Sequence, residues 1–106
     1  MSTSRAYIRL VKKLTVENLW LYIVKILMEE GKPLKAYDIK VRLREKFGID
    51  PPAVTVYTVV YRMSRDGLLS RRQENGEALY SVTERGINAF KNALVLIEEI
   101  LSKLKL

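Results

Sequence analysis

The chain of 106 residues carries 19 Lys or Arg against 12 Asp or Glu, a net charge of +7 with an isoelectric point near 9.8, and so basic a balance points to a polyanionic partner. It contains no Cys and no His, which excludes disulfides, thiolate and imidazole metal sites, cysteine nucleophiles and every histidine-based acid, base or triad. With 48% hydrophobic and 29% charged residues it can build one folded core. Lys25, Glu29 and Glu98 interrupt the apolar stretches before the roughly 20 residues of a bilayer span, so a cytoplasmic chain without a membrane partner is expected.

Residues 1–14 are basic, with Arg5, Arg9, Lys12 and Lys13 among Tyr7, Ile8, Leu10 and Val11, and read as a flexible arm or a short extra helix. From Thr15, a candidate N-cap, Val16, Leu19, Trp20, Ile23, Val24 and Leu27 recur at three and four residues until Gly31 and Pro33. This predicts a first core helix over about 15–30. A second, over about 35–47, places Ala36, Ile39, Leu43 and Phe47 on one stripe. Asp50, Pro51 and Pro52 resemble a helix start, with Asp50 as cap, for a third helix running to about Asp66. The pattern then alternates over 68–72 and 78–82, and Asn75-Gly76 between these strands favours a tight hairpin turn. After Thr83, another candidate N-cap, the chain is helical to its end. Ile87, Phe90, Leu94, Ile97, Leu101 and Leu104 hold a heptad register.

Three helices and a two-stranded antiparallel hairpin make a mainly α fold in the order of a winged helix-turn-helix, here followed by a long C-terminal helix. In such a fold the third helix enters the major groove of double-stranded DNA and the hairpin, or wing, reaches the backbone. The expected division is a basic arm or helix at 1–14, a DNA-binding domain at 15–82 and a dimerisation helix at 83–106. On the third helix Val56, Val59, Val60 and Met63 should face the core, whereas Val54, Thr58, Tyr61, Arg62 and Arg65 fall opposite. Thr58 and Arg62 suit base edges or phosphates, Val54 and Tyr61 suit a thymine methyl or a sugar, and Arg65 suits phosphate. The plainer alternative has Tyr57 and Tyr61 complete the core from its margins while the arginines serve as solvated charges. Positions 31–67 hold eight Lys or Arg against four Asp or Glu, which favours the DNA reading. Of Arg71 and Arg72, on opposite faces of a strand, Arg72 is the preferred phosphate contact. Lys32 and Lys35 flank the start of the second helix, where free amides also attract phosphate.

Ala36-Tyr37-Asp38-Ile39, Thr55-Val56-Tyr57, Arg62-Met63 with Asp66-Gly67-Leu68-Leu69, and Tyr80-Ser81-Val82-Thr83-Glu84-Arg85-Gly86 resemble the PadR family of transcriptional regulators over about residues 15–90. The resemblance implies a winged-helix homodimer, joined through its C-terminal helix, that binds a palindromic operator, usually as a repressor; a nucleoid-associated place in the cytoplasm is expected for a chain that binds DNA. It also implies, as in some relatives, release of DNA by a small aromatic effector, for which Trp20 is the candidate stacking residue. Tyr37, Thr55 and Tyr57 join the candidate DNA contacts. The chain departs from the family pattern in having Ser64 and Arg65 late in the third helix and two prolines at its start.

Glu29-Glu30, Glu84 and Glu98-Glu99 fall on helix ends or solvent faces without a histidine, a Gly-rich phosphate loop or a metal motif. Catalysis, a cofactor and a metal are therefore not expected. A non-specific architectural DNA protein is the competing function, and base-facing residues such as Thr58 and Tyr61 argue for sequence-specific regulation instead.

Overall fold

A computed structural model describes residues 4–106, so the first three residues of the 1–14 segment lie outside the described residues. The chain folds as α1 (Arg5–Leu14), a single 3-10 turn (Val16–Asn18), α2 (Leu19–Glu30), α3 (Ala36–Phe47), α4 (Ala53–Arg65), β1 (Leu69–Glu74), β2 (Glu77–Val82) and α5 (Glu84–Leu104). Among the described residues no helix is long and apolar enough to cross a membrane.

The N-terminal segment is a helix from Arg5, not an arm. Ser4 caps it by accepting from the Tyr7 amide at 3.0 Å. Thr15 does not start the next helix. Its hydroxyl donates back to the Val11 carbonyl at 2.7 Å and its amide to the Lys12 carbonyl, so it closes α1, and a 3-10 turn intervenes before α2 begins at Leu19. Val16, expected on the core stripe, is consequently exposed. Helix α4 also departs from the sequence pattern, beginning at Ala53 without a side-chain cap and without Asp50 as its N-cap. Pro52 disfavours helical geometry at Pro51, and the Asp50 carboxylate is taken by the Lys40 ammonium at 2.9 Å.

One core joins these elements. Ile23, Val24 and Ile26 of α2, Ile39 and Leu43 of α3, and Val56 and Val60 of α4 are fully buried, with Leu34, Ile49, Leu69 and Tyr80 closing the edges. Each such side chain contributes about 2 kcal/mol of transfer free energy. Strands β1 and β2 pair antiparallel in the register Leu69↔Val82 through Glu74↔Glu77. Asn75 and Gly76 turn the corner with φ of 52° and 78°, the left-handed pair that matches strand twist in a two-residue hairpin. Leu34 adds a bridge to the hairpin, its amide donating to the Tyr80 carbonyl at 2.9 Å and its carbonyl accepting from the Tyr80 amide at 2.8 Å. This pairing ties the loop before α3 to β2.

Thr83 caps α5, as its sequence position suggests. Its hydroxyl accepts from the Gly86 amide at 3.1 Å and donates to the Gly67 carbonyl at 2.6 Å. The first half of α5 packs on the body through Gly86, Ile87 and Phe90, while its second half is exposed throughout. The molecule is accordingly elongated, 52 × 27 × 21 Å.

Candidate nucleic-acid interface

The face of α4 turned away from the core is the one the periodicity marks. Val56, Val60 and Met63 are buried and Val59 is half-buried, whereas Val54, Thr58, Tyr61, Arg62 and Arg65 are exposed, Val54 at 68% and Tyr61 at 60%. Tyr57 is 47% exposed, so neither tyrosine is spent on the core. Thr55 sits at the half-buried edge. The Thr58 hydroxyl donates to the Val54 carbonyl at 2.9 Å, which turns its lone pairs and methyl outward and commits its proton to the backbone. At the start of α4 no side chain caps the amides and no acidic residue occupies the first turn, leaving the positive end of the helix dipole available to an anion.

The fold gathers further candidates beside this face. Lys35 and Tyr37 from the start of α3, Tyr57 from α4, and Glu77, Ala78 and Tyr80 from β2 line a surface cleft of about 370 Å³. Lys35 bonds the Glu77 carboxylate at 2.5 Å, and this hydrogen bond and charge raise its pKa above the ordinary lysine value. Nothing local in the sequence marks Glu77 beyond its place after the hairpin turn. Arg72 is likewise paired, with Glu74 on the same strand face at 3.0 Å, and Arg65 with Asp66 at 3.4 Å. Among the described residues Arg62 and Arg71 have no carboxylate within 4.0 Å. The cations of this surface therefore divide into unpaired ones and ones held by a carboxylate. Exposed pairs of this kind contribute little stability, so another anion could displace the carboxylate at small cost.

The C-terminal candidates also divide. Ile87 and Phe90 are half-buried against their own domain, and Leu94, Ile97, Leu101 and Leu104 are exposed. Trp20 is half-buried against the core. No cluster of three or more Asp or Glu suited to a metal exists among the described residues.

No protein-family profile matches the sequence, and no curated protein does. Solved structures do. A winged-helix DNA-binding protein from STIV superposes with a TM-score of 0.69 at 20% identity, over 81% of this chain and 92% of that one. The fold is a winged helix. A transcriptional regulator from Clostridium thermocellum matches over 97% of this chain and 98% of its own, with a TM-score of 0.68 and 20% identity. A PadR family transcription regulator from Clostridium difficile matches over 79% and 94%, at 0.62 and 24%. The winged helix thus assigns names to the parts: α4 stands in the place of the recognition helix, and the β1–β2 hairpin is the wing.

Proposed function

We propose that this chain is a sequence-specific DNA-binding transcriptional regulator that acts as a homodimer on a palindromic operator and represses. Helix α4 enters the major groove and the wing follows the backbone. The observation that carries the reading is the exposed face of α4, where Val54, Tyr61, Thr58, Arg62 and Arg65 form one apolar, hydroxylic and cationic strip that the core does not use. A solvated helix face has no need of an exposed valine and tyrosine beside unpaired arginine, whereas a base-reading face uses all three types. The similar winged-helix regulators support the assignment. Footprinting across the DNA upstream of the protein's own gene tests it: a protected palindrome with major-groove contacts is expected. Equal protection of all sequences would favour the architectural role, and no duplex affinity at low salt would end the DNA reading.

A further inference from the structure

Val54 packs against nothing in the core of its own chain. Between residues 15 and 90 no large apolar side chain is more exposed, at 68%, and a β-branched residue on an open helix surface carries a helix-propensity cost with no packing to offset it. Around the helix Val54, Thr58 and Tyr61 lie within about 60° of one another, opposite the buried Val56, Val60 and Met63. The cations of α4, Arg62 and Arg65, come only in its last turn. Over the first turns the centre of the outward face is therefore methyl and hydroxyl.

Thr58 narrows what that face reads. Its hydroxyl proton goes to the Val54 carbonyl at 2.9 Å, so outward it shows a methyl and oxygen lone pairs but no donor. Turned to guanine, those lone pairs meet only the O6 and N7 acceptors. Helix α4 also contains no Asn, Gln, Asp or Glu. The bidentate amide that pairs with adenine and the carboxylate that accepts from cytosine are both absent, which leaves methyl contacts to distinguish one base pair from another before the arginines are reached. Of the two base pairs, only A·T carries a methyl in the major groove, at C5 of thymine. Over a G·C pair Val54 would cover O6, N7 and N4 with nothing to bond them, and polar groups left buried and unpaired are costly.

We propose that Val54 and the Thr58 methyl each pack on a thymine C5-methyl, so that a half-site is selected by two A·T pairs recognised through their methyl groups. The inference rests on the DNA-reading role of α4 proposed above and adds what that helix reads. Val54 and Thr58 stand about 6 Å apart along the helix axis, close to two base-pair rises of about 3.4 Å, so the two thymines fall about two base pairs apart.

Deoxyuridine isolates the methyl, since it keeps the pairing and the O4 acceptor of thymidine. On the duplex that the wild type selects from a random library, each thymine is replaced singly by deoxyuridine and affinity is measured by competition titration. Two positions in each half-site should lose about fourfold, the effect of one methyl-sized group. The factor should be the same at low and high salt, because no phosphate contact changes. Val54→Ala should abolish the loss at one position, and Thr58→Ser, which keeps the hydroxyl and removes only the methyl, at the other. Both side chains are exposed, so neither change reaches the core, and an unaltered thermal melt checks this. At either position 5-methylcytosine opposite guanine should bind more tightly than cytosine. Sequence preference with no loss at any deoxyuridine overturns the methyl reading and leaves α4 as a reader by other contacts. Losses that persist in both variants pass the methyls to Tyr61 and overturn the assignment to Val54 and Thr58. A chain that selects no sequence from the library removes the regulator and this inference together.

Discussion

Arg62 stands on the outward face of α4 without a carboxylate within 4.0 Å among the described residues, which separates it from Arg65 on the same face. Its guanidinium is ready to donate in bidentate fashion to a base edge or a phosphate. Arg62→Ala should cost about 1–3 kcal/mol at the preferred site and less on random duplex, measured by competition titration at fixed salt. Thr58→Ala should cost less, since the hydroxyl proton already serves the Val54 carbonyl. A different residue argument applies at Gly86, where an added Cβ would stand 2.3 Å from the Leu68 carbonyl oxygen and 3.0 Å from a Val82 methyl. Neither the backbone oxygen nor the first turn of α5 can yield, because Thr83 ties both ends of this corner through Gly67 and Leu68. Gly86→Ala should therefore destabilise the fold by about 2–3 kcal/mol, a fall in thermal midpoint of roughly 10 °C or more for a domain of this size. Calorimetry of both proteins decides it.

Among the elements, the wing is the one whose chemistry differs most from its sequence pattern. Its tip places Glu74 opposite Glu77, like charges that repel across a hairpin, and each is answered by a cation, Arg72 and Lys35 respectively. Glu77→Gln should release Lys35 toward phosphate and raise affinity for all sequences by a factor of roughly three to ten. The salt slope should steepen by about one, and a loss of affinity would show that Lys35 and Glu77 act only as a structural strut. Between α2 and α3 the hydrogen bond from Arg42 to Glu30, at 2.6 Å, holds the Glu30 carboxyl below its ordinary pKa, as the bond from Lys40 does for Asp50. A lowered folded-state value stabilises above the unfolded value and is lost as pH falls through the folded one. The thermal midpoint should be level from pH 7 to about 5 and decline below about pH 4, less steeply in Glu30→Gln. The hairpin, α3 and the buried face of α4 were legible because periodicity and the Asn-Gly turn are local signals. The joint at Thr15 was not, since a threonine can close one helix as readily as open another and only the position of the Val11 carbonyl decides. The Lys35–Glu77 pair and the Leu34–Tyr80 bridge join positions 42 and 46 apart, and only the tertiary fold brings them together.

At the scale of the whole molecule, the proposed homodimer would bring two copies of α4 and of the basic surface to one stretch of DNA. Helix α4 is too short to read more than one groove segment, and a net charge of +7 per chain is doubled in a dimer. If about six phosphates are neutralised, log K should fall with log salt at a slope of roughly −5. The geometry depends on α5, whose 21 residues span about 31 Å, comparable with the 34 Å between successive major grooves. Phe90 packs against its own core and Ile87 is half-buried, so a seam between copies in the proposed homodimer would rest mainly on the second half of the helix. Leu101, 50% exposed, lies within that half and far in sequence from α4 and the wing. Leu101→Glu would force a carboxylate into the proposed subunit contact, where a buried unpaired charge is costly, yet Leu101 stands outside the core of its own subunit. Light scattering should show a dimer for the wild type at micromolar concentration and a monomer for the variant, with the same thermal signature for the three-helix core. Operator affinity should fall steeply, because two half-sites bound independently lose the gain from tethering one recognition helix to the other. A variant that remains dimeric with unchanged operator binding would remove α5 from the interface and leave its exposed leucines to another partner.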